Sequence, residues 1–191
     1  TGGLSYPATG STGDGYRLAQ QAGHTIVEPR PSLVPLEEAG ETCAQMQGLS
    51  LKNVTFTLKN QKKKVVFQEQ GEMLFTHFGL SGPLVLSASA HANWAKDTYT
   101  GIIDLKPALD EEKLEARILR DVAQAPNKAF HNFLEGLLPR LMVPVAGQRA
   151  QIPPDMPVNT LTKAQRRRLV ETMKHFTVSI ASPRPIKEAI I

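Results

Sequence analysis

The chain has 191 residues, of which 41% are hydrophobic, 21% charged and 6% aromatic. That is ordinary globular composition with apolar side chains enough for a core of one or two domains. It excludes a disordered or collagen-like chain, and a single cysteine, Cys43, excludes a disulfide scaffold. The net charge of +4 is a small basic excess for this length. It is gathered in two short runs, Lys62-Lys63-Lys64 and Arg166-Arg167-Arg168, which read as a hairpin tip and a solvated helix face.

Residues 1–23 begin rich in glycine, serine and threonine. Tyr16, Leu18, Ala19 and Ala22 then predict a short helix, with Asp14 as its N-cap and Gly23 as its stop. His24-Thr25-Ile26-Val27 reads as a short strand closed by Pro29 and Pro31, and Leu33 to Leu36 as a second, at an edge or bulge because of Pro35. Val54, Phe56 and Leu58 alternate with Thr55 and Thr57, the period of a half-buried strand. Asn60 to Lys63 is the turn, and Val65 and Phe67 begin the returning strand of a hairpin.

The segment GEMLFTHFGLSGP, residues 71–83, gives a strand at Met73-Leu74-Phe75 and a loop from His77 to Gly82. A helix follows, capped by Ser81 with Pro83 in its first turn and Leu84, Val85 and Leu86 buried. Ile102, Ile103 and Leu105 predict another strand. Residues 108–174 are helical. Asp110 caps a first helix whose apolar face is Leu114, Ile118, Leu119 and Val122. Phe130 to Leu138 continue the pattern, and Thr162 to Gln165 spell a capping box before Leu169, Val170 and Met173. Ile152 to Pro157 is an extended loop. Phe176, Val178 and Ile180 alternate as a closing strand, and Ala189-Ile190-Ile191 begin one more. Strand, helix and strand runs in this order predict an α+β fold, a small antiparallel β-barrel carrying an inserted helical bundle.

Two places could do chemistry. Gly10, Gly13 and Gly15 precede a helix, the ingredients of an anion cradle, but the spacing is not G-x-G-x-x-G. His77, between glycines and a helix start, could polarise a carbonyl or move a proton near neutral pH, or could simply satisfy backbone groups in its loop. Cys43 has no histidine or helix start nearby to activate it. The chain has no Cys/His zinc spacing, so no metal site is expected.

Thr1-Gly2-Gly3, Gly13-Asp14-Gly15, Ala19 and Gly23 resemble the T-G-G … G-D-G-x-x-x-A-x-x-x-G text of two-dinucleotide flavoproteins. The run TGGLSYPATGSTGDGYRLAQQAGHT, followed by GEMLFTHFGLSGP, resembles a narrower group. These are the YhiN-type bacterial NAD(P)/FAD-dependent oxidoreductases, which include aminoacetone-oxidase-like and bile-acid-reductase-like flavoproteins. Pro183-Arg184-Pro185 … Glu188-Ala189-Ile190-Ile191 resembles the place where such chains re-enter their FAD domain.

The resemblance implies a fragment lacking both flanking FAD-binding segments. Residues 1–26 would be the remnant of a Rossmann-like FAD domain and 27–107 the barrel of an insert domain. Residues 108–174 would be its helical bundle, 175–185 its closing strand and 186–191 the return. It implies FAD in the whole protein, near Thr1, Gly2, Gly3, Gly13 and Asp14, with NAD(P)H as a reductant. Tyr6, His77, Gly79, Ser81 and Gly82 would face flavin or substrate, with His77 the one catalytic candidate. The expected partners are the rest of the FAD domain and a small-molecule substrate. The expected setting is a reducing cytoplasm, with no membrane and no nucleic acid. A second reading, from a different class, is an autonomous basic module whose Arg166–Arg168 helix engages RNA or another polyanion.

Overall fold

A computed structural model describes residues 2–190. Six strands close into an antiparallel barrel in the order β1-β4-β3-β2-β5-β6. The long hairpin β2 (Ser50–Asn60) and β3 (Val65–Phe75) is its largest piece. Val54, Phe56 and Leu58 point inward, as their alternation predicts, and meet Phe75, Met73 and Ile103 in the barrel core. β5 (Tyr99–Asp104) and β6 (Phe176–Pro183) complete the wall, and Phe75 meets Phe176 edge to face at 6.4 Å across the interior.

The seam closes through two three-residue strands, β1 (Leu36–Glu38) and β4 (Gly79–Ser81). Leu36 is opposite Leu80 on one side and Pro183 on the other. The helix α3 (Pro83–Ala90) lies against β3, with Leu84, Val85 and Ala88 buried. Its buried Ser89 hydroxyl accepts from the Val34 amide at 3.0 Å, tying the entry to β1 to the helix.

The helical bundle enters between β5 and β6. Asp110 caps α4 (Glu111–Gln124) by accepting from the Lys113 amide. Then come α5 (Phe130–Leu134), α6 (Val143–Ala150) and α7 (Lys163–Lys174), the last opened by the full Thr162/Gln165 capping box. Helices numbered in chain order before these are α1 (Asp14–Gln21) and the short α2 (Thr42–Gln45). Two cations bind bundle to barrel. Lys174 Nζ donates to Asp104 and to the Lys106 and Leu109 carbonyls, and Arg149 donates to the Thr177 carbonyl while stacking 3.8 Å over Phe176. Among the described residues no helix is long and apolar enough to cross a membrane.

Several local expectations are corrected. His24 to Val27 form no strand, and Val27 is 85% exposed; a β-prone run finds no partner when prolines follow at once. The second strand begins only at Leu36, because Leu33 takes a left-handed conformation at φ +52°. Asp14 is not the N-cap of α1. Gly13 holds that position, and the Asp14 carboxylate pairs with Arg17 at 3.2 Å. Ser81 does not cap α3 either, since it belongs to β4 and Gly82 is the N-cap, so part of the expected His77–Gly82 loop is strand. Leu119 is exposed. Among the described residues no strand follows β6: a 3-10 turn spans Ile186–Glu188, and the Ile190 amide donates to the Leu33 carbonyl. Ile191 lies outside the described residues.

Gly79 is where β4 passes closest to β1. A β-carbon there would collide with the Leu36 carbonyl oxygen and sit 2.7 Å from the Glu38 amide nitrogen, on a backbone at φ +155°. Gly79→Ala should therefore destabilise the barrel by about 1–3 kcal/mol in urea unfolding, while Ser81→Ala beside it stays within about 0.5 kcal/mol.

Candidate functional site

The GEMLFTHFGLSGP segment and the Pro183–Glu188 segment meet at the barrel seam. Thr76 holds the turn: its amide and hydroxyl both donate to the Gly79 carbonyl, at 2.8 and 3.1 Å, and its hydroxyl accepts from the Gly79 amide at 3.1 Å. The backbone of this turn is thus satisfied without His77. The His77 side chain is exposed and makes no hydrogen bond among the described residues. Its ring meets Phe78 edge-on, centroids 5.0 Å apart. The imidazole packs against an aromatic ring while its nitrogens have no hydrogen-bond partner among the described residues, so they are open to donate to or accept from a ligand.

Phe78 is itself clamped. The Arg184 guanidinium lies 4.7 Å over its ring, and its carbonyl accepts from the Glu38 amide. Arg184 is the hub of the cluster. It binds Glu188 through two parallel bonds at 2.9 and 2.7 Å, and Glu37 of β1 at 2.6 Å. Ser182 donates to the other Glu37 oxygen at 2.7 Å. The bonds from Ser182 and then Arg184 hold the Glu37 carboxyl below its ordinary value, and Arg184 does the same for Glu188. The N-terminal segment reaches the same place from the other side, since the Tyr6 amide donates to the Lys187 carbonyl at 2.9 Å. Tyr6 is 43% exposed, with φ +48°.

Gly82 belongs here for a steric reason. At φ +90°, a β-carbon would come 2.9 Å from the Met73 α-carbon, so only glycine lets α3 start against β3. Gly79 and Gly82 are thus accounted for by close packing of the seam. Ser81 is half-buried in β4 opposite Leu74.

The glycine-rich N-terminus forms a compact loop before α1. Gly2 is tight against Ser11, and Gly13 is buried against Leu4, so these two face their own loop. Gly3, Gly10 and Gly15 have open space where a side chain would stand. No side chain caps α1, and the Asp14 carboxylate is turned to Arg17. Thr1, expected beside these, lies outside the described residues. The structure therefore brings Tyr6 to the Arg184 cluster through Lys187, whereas Gly3, Gly13 and Asp14 form a separate loop.

Other candidates resolve as structural. Cys43 is buried, and burial pushes its thiol far above the ordinary range, the nearby Glu38 adding to the effect. Two of the three arginines of the basic run are committed inward: Arg166 donates to the Leu161 carbonyl, and Arg168 to that of Ala150. Arg167 shares its groove with Glu111, Glu112, Glu115 and Glu171, so this helix presents no basic stripe. Glu111, Glu171 and His175 bring ligand atoms within 4.8 Å of one another, a proximity invisible in the sequence, but all three are exposed and nothing else marks them as ligands.

The comparisons with known proteins agree with the barrel and bundle. Residues 30–191 match the model described as "HI0933-like protein barrel and H2TH domain". The chain belongs to this family. It is 33% identical over 178 residues to a ribosomal RNA dihydrouridine synthase of Haemophilus influenzae, covering 92% of this chain and 41% of that protein. The Escherichia coli protein of the same name is 32% identical, with 93% and 42% covered. A 3-dehydro-bile acid delta(4,6)-reductase of Clostridium scindens is 27% identical, with 94% and 44% covered. The chain thus spans about two-fifths of the length of these relatives. The YhiN-type resemblance is upheld, and the chain is homologous to flavoprotein-family oxidoreductases.

The arginine hub was missed as a functional element by sequence reading. Its signal was Arg184 held between Pro183 and Pro185, four residues before Glu188. Because Glu37 and Glu188 have depressed pKa values in the folded chain, their stabilisation is full above the ordinary value of 4.5 and is lost as pH falls below it. Arg184→Gln should flatten the loss of stability between about pH 5 and pH 3, measured by urea unfolding at stepped pH. An unchanged slope would show that the hub contributes nothing to the folded state.

Proposed function

We propose that this chain is the substrate-side domain of an FAD-dependent oxidoreductase, covering the flavin and shaping the substrate site without oxidoreductase activity of its own. The observation that carries this reading is the state of His77: exposed, unbonded, and positioned by Phe78 under the Arg184 clamp. Family membership, and relatives more than twice as long that include an oxidoreductase, give the reading its chemistry. A second support is α1, whose Tyr16 and Leu18 are exposed and none of whose residues is buried. An amphipathic helix with an uncovered apolar side suits a surface that packs against more protein.

The flavin, when bound, supplies hydride chemistry, and the protein supplies orientation and electrostatics. The residues present fit such a group in part. Gly3 and Gly15 leave the backbone open to close approach, and the uncapped N-terminus of α1 suits a pyrophosphate. Gly2, Gly13 and Asp14 would shape that loop, and Thr1 would extend it. On the substrate side, His77 would hold or move a proton, Tyr6 would line the approach, and the seam at Gly79, Ser81 and Gly82 would exclude water. NAD(P)H is the reductant in this reading, and a reducing cytoplasm is its setting.

Titrating the chain with FAD and following flavin fluorescence should give no saturable sub-micromolar binding, because in this reading the flavin is held chiefly by a domain that these 191 residues cover. Stoichiometric tight binding would overturn the domain assignment. In a longer polypeptide that carries those segments, His77→Gln should slow substrate-dependent flavin turnover while leaving flavin content unchanged. Unaltered turnover would remove His77 from the chemistry.

A further inference from the structure

A second site stands apart from the His77 cluster, between β2, the β5–α4 connection and α4. β2 bulges between Leu51, opposite Met73, and Val54, opposite Gly71. Lys52 and Asn53 stand against the single residue Glu72, one residue more than the partner strand, and Asn53 takes φ +57°. Such a bulge turns side chains out of the regular alternation and recurs beside binding sites. Here it puts Lys52 and Asn53 on one wall of a groove of about 370 Å³, with Gln70 beside them and Lys106 and Arg117 opposite. An adjoining groove of about 280 Å³ shares Lys52 and Lys106. The first volume lies within the roughly 300–1,000 Å³ of ligand sites, and among the described residues no carboxylate lines either groove.

Lys106 is held firmly in place. Its amide donates to Asp104 at 2.9 Å, and its carbonyl accepts from Lys174 Nζ at 3.2 Å. Lys174 also takes the Leu109 carbonyl at 2.6 Å, and the Leu105 amide donates to Met173. The side chain on this fixed backbone is half-buried and, among the described residues, has no carboxylate within 4 Å. Burial lowers its affinity for a proton, and the positive charge of Arg117 lowers it further. Lys52 is likewise without an acidic partner, whereas Arg117 keeps Asp121 at 3.5 Å. Of the nearby acids, Asp104 is spent on Lys174, and Asp121 pairs with the groove's own Arg117, which leaves the two lysines without a counter-charge among the described residues. Two half-buried cations, Lys106 and Arg117, with the exposed Lys52, Asn53 and Gln70 on the same groove, are relieved of mutual repulsion by an anion with several acceptor oxygens.

We infer that Lys52, Lys106 and Arg117, with Asn53 and Gln70, form a phosphate-binding groove on this chain. The ligand is a phosphate group carried either by a single-stranded RNA backbone or by a free nucleotide. The inference stands independently of the flavin reading, since it uses other residues and asks nothing of His77.

Fluorescence anisotropy with a labelled single-stranded oligoribonucleotide over a range of salt, and calorimetry with adenosine 2′,5′-bisphosphate, test it. The triple variant K52Q/K106Q/R117Q should weaken binding and lower the salt slope by about 0.7 for each phosphate contact removed, roughly 2 in all. The triple K62Q/K63Q/K64Q at the hairpin tip removes the same charge and should leave most of the affinity. Lys106→Arg should retain binding, and a thermal melt of each variant confirms its fold. Binding of the oligonucleotide alone or of the bisphosphate alone, lost in the groove variant, supports the site and identifies which source supplies the phosphate. The inference fails if neither ligand binds at low salt, or if the hairpin-tip variant loses as much as the groove variant.

Discussion

The barrel closes through three residues. Leu36, Glu37 and Glu38 bridge β4 and β6, and without them the remaining strands would be a curled sheet with two open edges. So short a strand contributes few ladder bonds, and its position is fixed instead by contacts that converge on it. Gly79 removes the side chain that would hold β4 away, Ser89 of α3 binds Val34, and Arg184 binds Glu37. These ion pairs are half-buried and remain in reach of solvent, which screens them, so the work of Arg184 is to set geometry more than to add stability.

Because the same seam holds Phe78 and His77, closing the barrel and presenting the histidine are one event. The Arg184 guanidinium that ties β1 to the C-terminal turn also lies over Phe78, and Phe78 carries the His77 ring at its edge. The N-terminal segment joins through the Tyr6–Lys187 bond. The segments on either side of the barrel thus meet close to the loop that carries His77.

The helical bundle depends on the barrel in a different way. Lys174 and Arg149 reach from α7 and α6 to strand ends, and Lys174 satisfies three acceptors at once. That bonding makes the 104–109 connection rigid. A rigid connection can hold an unneutralised lysine against Arg117 that a loose one would swing into water. The seam and the groove have separate supports, the first in Arg184 and Gly79 and the second in Lys174, which is why each can be tested without disturbing the other.

Sequence patterning by itself determined the α+β class, the β2–β3 hairpin, the caps at Asp110 and Thr162, and the family resemblance carried by the glycine motifs. These follow from interactions within a few residues: alternation along a strand, a carboxylate or hydroxyl facing the first free amides of a helix, a tight turn. The same local rules failed at His24–Val27 and at Asp14, where no partner strand exists and where an arginine one turn on competes for the carboxylate. Only the tertiary structure decided that Glu37, Phe78 and Arg184 meet, and that Lys52, Lys106 and Arg117 share a groove without an acid. Within each set the farthest residues are more than sixty positions apart along the chain. No local periodicity encodes such a meeting, because it is set by barrel closure and by which carboxylates other cations have already taken.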